Sequence, residues 1–188
     1  MRKLIVSLHT SLDGYVGGPN GEMDWIKIDD EIFDFVANFT EQADTALYGR
    51  ITYEMMDNYW PGAAGKPNAT KHDIVHSAWY NNSQKIVVSR TIRETKNKTT
   101  FLADNLVSEL KQLKDQPGKN ILLFGSPSVV HYLEKHQLVD EYWLFVNPII
   151  LGRGIPLFVE NEKRTELQLS GNKLFNCGVI ALHYVTKS

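Results

Sequence analysis

The stretch Ile121-Leu-Leu-Phe-Gly-Ser-Pro-Ser-Val-Val-His-Tyr-Leu133 decides the fold. Four apolar residues, Ile121 to Phe124, follow the turn-like Gln116-Pro-Gly-Lys-Asn120. A short apolar run closed by turn residues reads as a strand buried on both faces, as in a parallel sheet. Gly125 breaks the run, and Ser126-Pro127 caps and opens a helix with proline at its first position. Val129, Val130 and Leu133 then recur at helical spacing. Such a unit brings backbone N–H groups to the carboxyl end of a strand, where phosphates commonly bind. One glycine does not by itself separate that reading from an ordinary strand-to-helix corner.

The same grammar recurs outward from this stretch. Lys3 to Leu12 reads as a first strand, followed by a mobile or backbone-exposing loop crowded with Gly14, Gly17, Gly18, Pro19 and Gly21. Ile32, Phe33, Val36 and Phe39 mark an amphipathic helix, with Asp29, Asp30 and Glu31 suited to its positive end. Thr45-Ala-Leu-Tyr48 is a short strand, and Gly49-Arg50 leads into a helix from Ile51 to about Met56. Tyr59 to Pro67 reads as a surface loop. Its Gly62-Ala-Ala-Gly-Lys66 is too short for a phosphate-binding P-loop. A helix over Lys71–Tyr80 places His72 and His76 on one face, expected to be solvated.

Lys85-Ile-Val-Val-Ser89 is another buried strand, ending at Ser89-Arg90; Thr99–Leu102 adds a short one, and Leu106, Leu110 and Leu113 mark a helix. Asp140 to Val146 is a strand closed by Asn147-Pro148, and Ile149–Phe158 is a turn-rich connection. Glu166–Phe175 and Gly178–Val185 alternate as a terminal antiparallel hairpin. The order implies a three-layer α/β fold with a mixed, mostly parallel sheet, and a single domain over residues 1–188. If parallel, the strands ending at Gly49-Arg50, Ser89-Arg90 and Gly125-Ser126 share one sheet edge. Two arginines there suit bidentate phosphate binding.

The 188 residues, 43% hydrophobic and 22% charged, have the composition of a soluble globular protein. A net charge of −2 gives no basic excess for nucleic acid. The lone cysteine, Cys177, excludes an intrachain disulfide. The amino terminus lacks a sustained apolar run, and no run of about 20 apolar residues spans a membrane. A cytoplasmic location is expected.

Together these residues resemble the dihydrofolate reductase superfamily, and within it the reductase domain of riboflavin-biosynthesis deaminase-reductases. The matching pieces are Ser11-Leu-Asp-Gly14, Trp25-Ile26, Ala43-Asp-Thr-Ala-Leu-Tyr-Gly-Arg-Ile-Thr52, Ile86-Val-Val-Ser-Arg90, the Gly125-Ser126 corner and Leu138 to Gly152. The resemblance implies an α/β/α dihydrofolate reductase-like fold and an NADPH-dependent reductase of a pyrimidine- or pterin-like small molecule, of the 5-amino-6-(5-phosphoribosylamino)uracil reductase type. It implies cofactor contacts at Gly49, Arg50 and Thr52, a 2′-phosphate reader at Ser89 and Arg90, and a pyrophosphate floor at Gly125 and Ser126. Val16 and Gly17 become the wall over the nicotinamide.

Asp13, Trp25 and Tyr59 become the substrate contacts. Asp30 becomes the proton donor, provided that it is a buried carboxylate with a raised pKa. A homodimer, with the apolar Tyr142–Leu151 region contributing, is also implied. Three departures stand against the family pattern. Gly125 is followed by Ser126 where the family often has a second glycine. The zinc deaminase half, with His-x-Glu and Pro-Cys-x-x-Cys, is missing. The family's substrate clamp survives only as Asp57-Asn58. The altered clamp motivates an alternative, a non-catalytic ligand sensor on the same fold.

Overall fold

The computed structural model describes residues 1–91, 98–161 and 163–187. In chain order its elements are β1 (Leu4–Thr10), β2 (Tyr15–Gly17), α1 (Asp30–Glu41), β3 (Ala43–Gly49), α2 (Arg50–Ala63), α3 (Lys71–Asn82), β4 (Gln84–Val88) and β5 (Thr99–Leu102). Then follow α4 (Leu106–Asp115), β6 (Asn120–Phe124), α5 (Pro127–Lys135), β7 (Glu141–Val146), β8 (Ile155–Pro156), β9 (Leu167–Leu174) and β10 (Ile180–Thr186). Eight strands form one sheet in the order β5-β4-β3-β6-β1-β7-β10-β9. All pairings from β5 across to β7 are parallel, and β10 runs antiparallel to both β7 and β9. The expected mixed sheet with a terminal hairpin is the observed one.

Period-two alternation divides the core into two layers. Leu4, Val6 and Leu8 of β1 pack with Ile121 and Leu123 of β6 against α4 and α5, through Leu110, Val130 and Leu133. The opposite face takes α1, α2 and α3. There Phe145 packs with Ile32 and Phe35, and Tyr48 with Tyr53 and Tyr80. Helices therefore leave the sheet on both sides. The helix after β3, α2, covers one face, and the helix after the neighbouring β6, α5, covers the other. Adjacent parallel strands whose helices diverge open a crevice at their carboxyl ends, where ligands bind in open α/β sheets.

Three local features differ from the sequence reading. Helix α2 runs to Ala63 with Pro61 inside it, so Tyr59–Ala63 is helical rather than loop. Its last turn is held by α3: Ser77 Oγ donates to the Trp60 carbonyl at 2.7 Å, and Asn81 Nδ2 donates to that of Pro61 at 3.3 Å. Tertiary bonds here outweigh the proline's helix-breaking tendency. The loops after β1 and β7 meet in a two-stranded ribbon, with Tyr15 opposite Pro156 and Gly17 opposite Ile155. Strand β7 lies inside the sheet, with Tyr142 and Phe145 at most 1% exposed, so within the apolar Tyr142–Leu151 region the exposed large apolar side chain is Ile150, at 70%. The apolar side chains on the sheet's open edge are Leu169 and Leu174 of β9.

Candidate active site

Strands β4, β3 and β6 are neighbours and parallel, so their exits at Ser89-Arg90, Gly49-Arg50 and Gly125-Ser126 stand side by side at one sheet edge. Two helices, α2 and α5, begin in this row. Asp29 caps α1 and Thr70 caps α3 through their side chains, but neither Gly49 nor Ser126 caps its own helix. The first-turn N–H groups of α2 thus keep the donor character that suits an anion; at α5, Pro127 has no N–H and Val129 donates to the Ser126 carbonyl at 2.9 Å, which leaves Ser128 as the first-turn donor.

Gly125 and Ser126 are consecutive residues in the left-handed region, with φ of +59° and +58°. That conformation is natural for glycine and costs a serine about 1–2 kcal/mol. The Ser126 hydroxyl is used elsewhere than a cap: its Oγ accepts the Gly49 N–H at 2.7 Å and ties the start of α5 to the start of α2 across the crevice. Gly49 permits this approach, because a Cβ there would stand 3.3 Å from both Ser126 Oγ and Val129 Cγ2. A Cβ on Gly125 would meet Thr52 Cγ2 at 3.3 Å. Thr52, in the first turn of α2, is therefore packed on the glycine corner. The Gly49 N–H is spent on Ser126 and is not a phosphate donor. That narrows its expected role to allowing the close approach.

Arg50 sits half-exposed at the head of α2, with Nη1 bonded to Glu54 Oε1 and Oε2 at 3.0 and 2.8 Å. Ser89 is buried, its N–H donating to the Leu102 carbonyl at 2.9 Å and its Oγ accepting the Thr91 N–H at 3.2 Å. Arg90 is exposed beside it. A pyrophosphate with a further phosphate asks for N–H donors and flanking cations. The edge supplies both in the two uncapped helix starts and in Arg50 and Arg90, so the phosphates of a nicotinamide dinucleotide phosphate fit the donor set.

A family model described as the RibD C-terminal domain matches residues 2–181. The chain belongs to that family. The uncharacterized protein YyaP of Bacillus subtilis (strain 168) is 36% identical over 185 residues, covering 97% of this chain and 94% of that one. A crystal structure from Shewanella sp. PV-4, of a protein assigned to riboflavin biosynthesis, superposes with a TM-score of 0.76 at 23% identity over 99% of each chain. The dihydrofolate reductase of Enterococcus faecalis, solved with NADP(H), shares the fold at a TM-score of 0.64 and 14% identity, over 99% of this chain and 97% of that one.

Within this RibD C-terminal domain fold, the other expected site residues are dispersed. Asp30 is the first residue of α1, and its side chain is 96% exposed, 3.3 Å from His72 Nε2. The burial on which its role as an acid depended is absent. Asp29 is the capping acid, accepting the Ile32 N–H at 2.9 Å. Tyr59 lies nine residues, about 14 Å, along α2 from Arg50. Its hydroxyl donates to Asp73 Oδ1 at 2.7 Å and its ring lies under Lys66, so it braces α2 to α3 away from the strand ends. Asp13 is a clip rather than an open carboxylate. It accepts the Ser11 hydroxyl at 2.7 Å and the N–H groups of Leu151 and Gly152 at 3.1 and 2.7 Å, and these bonds hold its pKa below the usual range.

Val16 turns towards the core cluster under α4 and α5, and Gly17 is pressed against the other ribbon strand, where a Cβ on Gly154 would strike its carbonyl. Trp25 is half-buried, its Nε1 donating to the Glu22 carbonyl at 2.9 Å. His72 and His76 are not on a solvated face. His72 stacks on Phe33 at 4.8 Å, and His76 packs on Trp60 at 4.1 Å, where burial lowers its pKa to about 4. Among the described residues no three candidate ligands come together to hold a metal.

Two residues at the same sheet edge escaped the sequence reading. His9 is the penultimate residue of β1, stacked on Phe145 at 4.9 Å, and burial pulls its pKa to about 4. Asn147, fully buried just past β7, contacts His9 Nδ1 at 3.2 Å and accepts the Lys27 N–H at 2.9 Å. The available signal was a polar ring near the end of an apolar strand. A concavity of about 850 Å³ lies elsewhere, beside α5, lined by His131, Glu134, Tyr142 and Phe158 among others. It opens beside the amino end of β7 and gathers no helix N-termini, so size alone does not make it the reaction site.

Proposed function

We propose that the chain is an NADPH-dependent reductase of a small pyrimidine- or pterin-like substrate, of the 5-amino-6-(5-phosphoribosylamino)uracil reductase type. The observation that carries the reading is the alignment of three parallel strand exits, two starting uncapped helices and each followed by an arginine or the Gly125-Ser126 corner. Membership in the RibD C-terminal domain family supports it. NADPH, when bound, supplies a hydride to a C=N or C=O carbon. The protein binds the phosphates at the α2 and α5 starts and sets the flat substrate over the ends of β1 and β6. The segment Trp25–Asp29, pinned by Asn147 to Lys27, flanks that place. Positioning of the two reactants is the chain's main contribution.

The test is direct. NADPH should bind at micromolar concentration in calorimetry, and Arg90→Ala should weaken NADPH selectively over NADH. Absence of any NADPH binding would sink the reading; equal loss for both nucleotides would remove Arg90 as the 2′-phosphate reader.

The exposed position of Asp30 favours a second reading, a sensor that binds the nucleotide without turnover. NADPH oxidation with dihydropterins and with the phosphoribosylaminouracil separates the two. The reading keeps a homodimer and moves its contact to the β9 edge, where Leu169 and Leu174 are 50% and 67% exposed. Sedimentation of Leu174→Lys against the parent protein checks it.

A further inference from the structure

The Asn147 side chain fixes which nitrogen of His9 carries the proton. Its Nδ2 stands 3.0 Å from the Phe145 carbonyl and 3.2 Å from the Thr10 carbonyl, and its Oδ1 accepts the Lys27 N–H. Turning the amide over would set an oxygen against two carbonyls and an NH₂ against an N–H. The amide orientation is therefore determined by its backbone partners. The two amide hydrogens are directed at the carbonyls, and an amide nitrogen does not accept, so a proton on the His9 Nδ1 that faces it at 3.2 Å would have no acceptor; the proton of the neutral ring sits on Nε2.

Nε2 has no hydrogen-bond partner among the described residues. Nor is it sealed off: there, the buried polar side-chain atoms without partners are the hydroxyls of Tyr48 and Tyr142. The ring thus presents an N–H without a protein partner among the described residues, on a half-buried side chain. Alternation along β1 puts His9 on the α1 face with Ile5, and the ring stacks on Phe145, which packs on Phe35 of α1. The N–H consequently stands at the carboxyl end of the strand beside β6 and its Gly125 corner.

We propose that His9 is the substrate-reading residue of this edge: its Nε2–H donates to a carbonyl oxygen on the substrate's pyrimidine ring, and Asn147 is the residue that positions it. This rests on the reductase reading, whose substrate carries a uracil ring, and adds to it the residue that tells a ring carbonyl from an amino group at that edge. A neutral imidazole with one committed nitrogen offers a donor and no charge. It donates to a carbonyl and leaves an amino group facing it unpaired, which is how a built-in donor discriminates.

The experiment uses the full chain saturated with NADP⁺ and two probes, 5,6-diaminouracil and 2,4,5,6-tetraaminopyrimidine, with binding read by calorimetry and His9 by ¹⁵N NMR of the imidazole. The expected result is an Nε2–H tautomer, a shift of that nitrogen on adding diaminouracil, and tighter binding of diaminouracil than of tetraaminopyrimidine. His9→Ala should weaken diaminouracil by about three- to tenfold, the worth of one neutral hydrogen bond, and leave NADP⁺ affinity unchanged. An Nδ1–H tautomer, no diaminouracil binding to the NADP⁺-loaded protein, or equal diaminouracil binding by His9→Ala would overturn the proposal. Failure to bind NADP⁺ at all would instead strike the reductase reading. The NMR arm needs no variant, so it decides even if His9→Ala folds poorly.

Discussion

Ser126 Oγ accepts the backbone N–H of Gly49 at 2.7 Å, joining the starts of two helices that leave the sheet on opposite faces. The bond explains how a serine occupies a left-handed position beside Gly125, since the hydrogen bond offsets much of the backbone cost.

Substitution should separate these two effects. Ser126→Ala keeps the strain and leaves the Gly49 N–H buried without its acceptor, a loss of about 1–3 kcal/mol. Ser126→Gly removes both strain and bond, and admits water or a ligand oxygen to the freed N–H. Its stability should stay within about 1 kcal/mol of the parent, and its NADPH affinity should rise. Urea unfolding and calorimetry on the pair measure this. Equal destabilisation by both changes would mean that relief of the left-handed strain contributes nothing.

How far the sequence carries the reader is visible in the same pair. The strand and helix of Ile121–Leu133 are local events, set by an apolar run, a glycine and helical spacing, and they form where expected. The partner of Ser126 lies 77 residues away in the chain. Local rules name a capping residue at that position but cannot see that its hydroxyl faces another strand's end. His9 and Asn147 are separated by 138 residues and meet only because β1 and β7 pair. Asp30 shows the converse. Three acids in one first turn are easily read, but which of them caps, and which faces water, depends on the path by which Lys27–Asp29 enters α1. The site legible in the sequence was the row of strand exits, which depends on element order; its substrate side depends on long-range contacts.

Arg50 is held by the carboxylate of its own helix neighbour. An exposed i,i+4 pair is worth roughly 0.3–0.5 kcal/mol, so it is a weak restraint that a phosphate can displace. Glu54→Gln should release the guanidinium and tighten NADPH by about twofold at low salt, the same energy expressed as affinity. Arg50→Ala should weaken NADPH, with the effect shrinking as salt is added. Unchanged affinity in Arg50→Ala would remove this residue from the phosphate site.

Burial lowers both His9 and His76 to about 4, against about 6.5 for a free histidine. The unfolded chain therefore takes up these protons first as pH falls. Stability from the neutral rings is complete above about pH 6.5 and is lost progressively towards pH 4. Each ring's share is on the order of 1–3 kcal/mol over that window. His76 packs on Trp60 at 4.1 Å and on Trp79 at 5.2 Å, an apolar setting that a phenyl ring fits. His76→Phe should flatten the fall in unfolding free energy between pH 7 and pH 5. A slope identical to that of the parent would show that His76 is not buried neutral.

Asp13 couples the turn after β1 to the loop after β7 through three accepted hydrogen bonds, two of them from the backbone of Leu151 and Gly152. The carboxylate is exposed, so water can replace its bonds and global stability should change little when it is removed. What it controls is the position of the β2–β8 ribbon, beside which the Leu12 N–H donates to the Ile149 carbonyl at 2.8 Å and the Leu157 N–H to that of Gly14 at 2.9 Å. Asp13→Ala should leave the unfolding midpoint nearly unchanged while amide exchange at Leu151 and Gly152 accelerates by about tenfold, the signature of an easier local opening. NADPH dissociation should quicken with it if Val16 and Gly17 cover the nicotinamide. Asp13→Asn keeps one oxygen for one of the two N–H groups and should fall between. The bonds lower the pKa of Asp13, so the coupling should persist through mildly acidic pH and loosen only below the usual carboxylate range. Exchange at the two amides that ignores the substitution would show that the ribbon, and not Asp13, holds the loops together.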